Sequence, residues 1–221
     1  MRASHSRWTL ATVLAVVASP ACGGARTGVE TLPSLAAVSI AELEALYRAR
    51  TDSARMRFTE ADVRFMTAMI SHHAQALDMA GLAPARDVSA SIGILTTRTI
   101  NAQRDEINVM QQWLQDRGQP VPEVHTAAVD STVRVPEDGM LMAGMLTSQQ
   151  MSKLAAARGP DFDRLFLTYM IQHHGGAVTM VHDLFATDGA ALDEAVFKIA
   201  SDIQADQTTE IARMERMLEG Y

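Results

Sequence analysis

Along most of this 221-residue chain, apolar residues recur every three or four positions, the period of a helix with one buried face. Ser39-Ile40-Ala41-Glu42 has the form of a capping box and predicts a short helix to about Arg50. Thr59-Glu60-Ala61-Asp62 opens a second helix. Its apolar stripe runs Val63, Met66, Ile70, His73, Leu77 and Ala80, and it should end near Gly81 to Pro84. Asp87 is placed to cap a third, with Ile92, Leu95, Thr99, Ala102, Ile107, Met110 and Leu114 on its face and Gly118 and Pro120 as stops. Thr147-Ser148-Gln149-Gln150 opens a short helix that Gly159-Pro160 should close. Asp161 then starts a long one through about Phe185, and the last is predicted from Ala190 to Leu218. No segment alternates as a half-buried strand does, so the expected class is all-α.

The long helices form an internal repeat. Asp62 to Met79 aligns without a gap with Asp163 to Met180, matching Asp, Phe, Thr, Met, Ile, two adjacent His, Ala and Met. The helices that follow match as well: Gln103-x-x-Glu106-Ile107-x-x-Met110 aligns with Gln207-x-x-Glu210-Ile211-x-x-Met214. Two such hairpins supply four amphipathic helices, and one four-helix bundle is the simplest way to bury four apolar faces. The expected organisation is a targeting segment over 1–22, a tether and short helix over 23–58, one hairpin over 59–118, a linker over 119–138 rich in Pro, and a second hairpin over 139–221.

The first 22 residues carry a basic start (Arg2, Arg7) and the apolar run Leu10 to Ala18. That run is too short to span a membrane and has the form of a secretory signal, so the chain is expected in the periplasm or cell envelope. Cys22, the one cysteine, sits where a bacterial lipoprotein signal places its acylated residue, although Ser19 stands where that signal normally has Leu. Acylation would anchor the protein to a membrane, and plain cleavage would release it. The net charge of −7 disfavours nucleic acid as a partner and is compatible with a cation.

The candidate chemistry lies on the first long helix of each hairpin. Met69, His72, Ala76 and Met79 follow one seam at i, i+3, i+7 and i+10, and Met170, His173, Ala177 and Met180 repeat it. The second imidazole of each pair, His73 or His174, lies about 100° further round, and His182 continues the His174 stripe at i+8. A histidine or methionine on an apolar face is ordinarily core packing. Two adjacent imidazoles on a core-facing arc, however, bring four nitrogens needing partners, and the chain does this twice beside methionine. A metal ion is the partner that satisfies them. Thioether with imidazole suits Cu(I), and thioether is the soft ligand that persists where thiols oxidise. Ferritin-like di-iron sites need Glu-x-x-His, whereas here the motif is Met-x-x-His. Glu106 and Glu210 are candidates to hold a ligating imidazole from behind. Met140, Met142, Met145 and Met151 form a separate group, read as a hydrophobic lid or packing. No nucleophile-base arrangement, phosphate loop or zinc-protease motif is found, and no catalytic residue is assigned.

The double-His pattern Phe-x-x-x-Met-Ile-x-His-His-x-x-Ala-x-x-Met, followed by Gln-x-x-Glu-Ile-x-x-Met, resembles domain-of-unknown-function family 305. The resemblance covers about residues 59–118 and 139–220. It implies a ferritin-like helical bundle and, from periplasmic members linked to copper resistance, copper binding. The metal-site residues it implies are Met69, His72, His73, Met79 and Met110, with Met170, His173, His174, Met180 and Met214 as second-repeat equivalents. Gly175-Gly176 and Met217 depart from the first repeat's pattern. Three readings stay open: an exported copper-binding protein for buffering, delivery or resistance, a ferritin-like metal-dependent oxidase, and a structural or partner-binding helical lipoprotein.

Overall fold

Thr59 begins the main helical body by satisfying donors that a helix start leaves orphaned. Its side chain accepts from Asp62 N, and its own N–H donates to the Asp62 carboxylate at 2.8 Å. The computed structural model describes residues 39–55, 57–124 and 141–221. Cys22, the targeting segment, most of the linker and Met140 lie outside these described residues. Among these residues the α-helices are α1 (Ile40–Arg55), α2 (Glu60–Gly81), α3 (Ala90–Asp116), α4 (Ser148–Ala156), α5 (Gly159–Phe185) and α6 (Glu194–Leu218), with a short 3₁₀ turn at Ala83–Ala85. No strand occurs among the described residues, and the protein is all-helical. None of these helices is long and apolar enough to cross a membrane.

The chain divides between Leu43 and Glu44, inside α1. α1 runs five residues past its predicted end, opens on the Ser39–Glu42 capping bonds, and leaves Ile40, Leu43, Leu46 and Tyr47 exposed.

Three further predicted boundaries change. Asp87 does not cap α3. It adopts a left-handed backbone conformation (φ 54°) and pairs with Arg158, while Ser89, two residues on, accepts from Ile92 N. Gly159-Pro160 opens α5 instead of closing α4, since proline is tolerated in a first turn where its missing N–H has no partner to lose. α6 begins at Glu194 rather than Ala190, because Asp193 caps it by accepting from Ala195 N and Val196 N.

α2 packs on α3, α5 on α6, and α2 on α5, whereas α3 and α6 approach each other less closely. Two apolar clusters result, each drawing on all four long helices. One is centred on Met66, Ile70, Trp113, Val181, Val196 and Ile203. The other is centred on Ile92, Leu95, Phe162, Phe166 and Leu167, with Met151 and Leu154 of α4. Each fully buried side chain of this size contributes about 1.5–3 kcal/mol.

Polar latches fix the hairpins to each other. Asp62 of α2 accepts from Ala191 N at 2.7 Å, just ahead of α6. Asp163 of α5 accepts from Ser89 N at 3.1 Å, at the start of α3, and from the Tyr221 hydroxyl at 2.7 Å. At the far end of α3, Trp113 Nε1 donates to Asp193 at 3.2 Å and Arg117 pairs with it at 2.5 Å, the guanidinium lying 4.3 Å from the indole ring. The Arg117–Asp193 pair is buried, so removing one partner strands the other. Asp193→Ala is expected to lower the unfolding free energy by about 3–5 kcal/mol. Asp193→Asn, which keeps a capping acceptor, should cost less. Urea unfolding at constant m-value measures both.

Candidate metal centre

The four imidazoles of the two His-His pairs meet at the middle of α2 and α5, between the two apolar clusters, and all four are fully buried. His72 and His173, which occupy aligned positions, face each other across the hairpins with ring centroids 3.8 Å apart and planes tilted by 37°. The outer rings stand off by similar amounts, 6.4 Å from His72 to His73 and 6.3 Å from His173 to His174.

Hydrogen bonds assign the ring protons. His73 Nε2 donates to Glu106 Oε2 and His174 Nε2 donates to Glu210 Oε2, each at 2.6 Å. His72 Nε2 lies 3.0 Å from the Ala143 carbonyl, which only accepts, so the proton sits on Nε2. Nδ1 of His72, His73 and His174 has no hydrogen-bond partner, and neither does either nitrogen of His173. Burial holds His173 well below the ordinary histidine range, with the neighbouring imidazoles adding to the effect and the His72 backbone opposing it least. Burial, then His73, pushes His72 down to about 3. Both are therefore neutral at physiological pH, the form that offers a lone pair to a metal.

Thioethers border this layer on both sides. Met69 and Met110 are buried in the first cluster, with Met180 packed against it half-buried. Met79, Met170 and Met214 are buried in the second. Among the described residues, no three His, Cys, Asp or Glu side chains stand together as a metal-ligand set. His182 does not join the others: it is exposed, with its Nε2 2.8 Å from Gln204.

The pattern reading missed a strap over residues 141–147, which crosses α5 and supplies the Ala143 carbonyl to His72. Gln75 grips it by accepting from Leu146 N at 2.7 Å and donating to Leu146 O at 3.0 Å. Gly176, which aligns with Gln75, admits it: a Cβ there would stand 1.9 Å from Ala143 O. Gly144 meets it from the other side with φ +75°. The departure at Gly176 thus has a steric cause, whereas a side chain at Gly175 would meet nothing, and the Met142–Met145 segment lies over the layer. The one available signal was that mismatch between aligned helices.

The low affinity of buried His72 and His173 for protons fixes a pH dependence. An unfolded histidine titrates near 6.5, so below that pH the unfolded chain binds protons that the folded chain refuses. The stability of the metal-free protein is expected to be flat above pH 6.5 and to fall as pH drops from there toward 3. A His72→Leu/His173→Leu variant should lose part of that slope, as measured by unfolding free energies across the range.

Residues 62–218 match the sequence profile of the domain of unknown function DUF305. A search of curated proteins gave no match. Among solved structures, a DUF305 fragment from Deinococcus radiodurans is 29% identical, with a TM-score of 0.61 over 74% of this chain and 99% of its own. A DUF305 protein from Streptomyces coelicolor, described as secreted, is 26% identical with a TM-score of 0.59, covering 72% of this chain and 93% of its own. CopM in its Cu(I)-bound form is 28% identical with a TM-score of 0.54, over 72% of this chain and 96% of its own, and CopM is also described bound to Cu(II) and to silver. The profile match spans more than half of the sequence and includes both His-His pairs and both partner glutamates, and the chain belongs to the DUF305 family.

Proposed function

We propose that this protein is an exported soft-metal carrier that holds copper, as Cu(I), among the imidazoles and thioethers of its central layer. The observation that carries this reading is His173, a fully buried imidazole with neither nitrogen partnered, its ring centroid 3.8 Å from that of a second buried imidazole whose Nδ1 is also bare. Leaving one buried polar group unsatisfied costs about 1–3 kcal/mol, and five ring nitrogens of this layer are in that state. A soft cation turns the cost into ligation. Glu106 and Glu210 hold their imidazoles by Nε2, which presents Nδ1 as the donor and raises its basicity. The bordering methionines supply the sulfur that selects Cu(I) over zinc.

The metal is cargo, and the role is buffering, delivery or resistance without turnover. In this account the four long helices form one ferritin-like four-helix bundle built from two repeats, 59–118 and 139–221, joined by the 119–138 linker. Residues 1–22 direct export to the periplasm or envelope, with Cys22 as the anchor where it is acylated. The similarity to CopM bound to Cu(I), Cu(II) and silver, and to a secreted DUF305 protein, supports both the cargo and the location.

Anaerobic Cu(I) titration against a competing chelator tests the assignment. His173→Leu is expected to weaken Cu(I) binding at least tenfold, about 1.4 kcal/mol. The same variant should be as stable as the parent without metal or more so, because leucine removes two unsatisfied buried nitrogens. Unchanged copper affinity together with a large loss of stability would instead make His173 a packing residue.

A further inference from the structure

Helices α2 and α5 carry the four imidazoles, and α3 and α6 close over His73 and His174 through Glu106 and Glu210. Over His72 the cover is different. The strap of residues 141–147 is neither helix nor strand, and Ala143, whose carbonyl accepts from His72, is itself exposed. One residue of irregular backbone thus stands between solvent and a fully buried ring. A helix opens by breaking its own ladder of backbone bonds, whereas a strap opens by losing the contacts that hold it down.

The two ends of the strap are held differently. At one end Leu146 is buried in the second apolar cluster, Gln75 pairs with both its N–H and its carbonyl, and Thr147 begins the capping box of α4. At the other, residues 142–145 close into a turn of their own, with Met145 N donating to Met142 O at 3.1 Å. That turn rests on Gly176. It is tied down by the His72 bond and by Gln172, which donates to Gly144 O at 3.2 Å and Met145 O at 3.5 Å. Gln172 is exposed, so water competes for its bonds. Met142 and Met145 are half-buried and Leu141 is exposed. The turn is therefore a preformed tip, and the fixed point is Leu146.

We propose that the strap is a hinged cover: it pivots at Leu146, lifts residues 142–145 off Gly176, and opens the path by which an ion reaches His72 and, behind it, His173. The ion's path rests on the soft-metal reading of the layer; the hinge does not. Because the Ala143 carbonyl takes the ring proton of His72, lifting the strap also frees Nε2 of the first ring an ion would meet. A route on the opposite side, past Glu106 and Glu210, would meet His73 and His174 first, so the two routes expose different rings.

Diethyl pyrocarbonate, which acylates accessible neutral imidazoles, separates the two routes when the metal-free, full-length chain is labelled and read residue by residue by tandem mass spectrometry. Gly176→Ala drives a methyl group into the Ala143 backbone and is expected to raise the His72 rate roughly tenfold or more. Gly175→Ala, one residue earlier and with nothing within 4 Å of the added methyl, should leave that rate as in the parent. Gln172→Ala, at an exposed position, should raise it without disturbing the core. In all three variants His73 and His174 should stay as slow as in the parent, and exposed His182 as fast. Release of Cu(I) to an excess of chelator should quicken in Gly176→Ala and Gln172→Ala. A His72 rate unmoved by both, or raised only together with His73 and His174, would overturn the hinge. Labelling needs no metal, so a failure to bind Cu(I) would strike the soft-metal reading and not the hinge.

Discussion

Four imidazoles buried between two apolar clusters are the constraint around which this molecule is arranged. Burial excludes water as a partner, so each ring nitrogen needs a protein donor or acceptor, a ligand, or a stability penalty. Three rings obtain one partner each, from Glu106, Glu210 and the Ala143 carbonyl, and His173 obtains none. A layer this poorly satisfied survives because it is enclosed. The surrounding apolar side chains and the latches at Asp62, Asp163 and Asp193 hold both hairpins in register around it. Stability comes from the two clusters, and the middle is left for chemistry.

The aligned residues of the two hairpins share a plan but not every duty. His73–Glu106 and His174–Glu210 have the same hydrogen-bond distance, 2.6 Å. The strap breaks the equality. It serves His72 and not His173, is gripped by Gln75, and passes over Gly176, where any side chain would collide with its backbone. The two central imidazoles therefore differ in hydrogen bonding: one presents a single bare nitrogen, the other two.

Much of this was legible in the sequence, because helix periodicity and the doubled His-His motif are local signals. The capping box at Ser39 and the helix starts at Thr59 and Thr147 are realised in the structure, and the seam Met69, His72, Ala76, Met79 is buried along its whole length. Two of the boundaries that shifted did so where helix starts competed. Ser89 displaced Asp87, and Asp193 displaced the start at Ala190, because hydrogen bonds from the opposite hairpin chose between them. His182 has the right helical spacing, but the last turns of α5 turn that face to solvent, which spacing alone does not reveal. The strap lay beyond periodicity altogether, since an irregular segment is placed by what it packs against.

The central claim is that imidazole and thioether from this layer ligate the same ion. X-ray absorption at the copper K-edge of the Cu(I)-loaded chain tests it most directly. The account predicts a mixed shell, with sulfur scattering alongside the multiple-scattering features of imidazole, and the imidazole features diminished in His173→Leu. A shell of light atoms without sulfur, or of sulfur without imidazole, would contradict it.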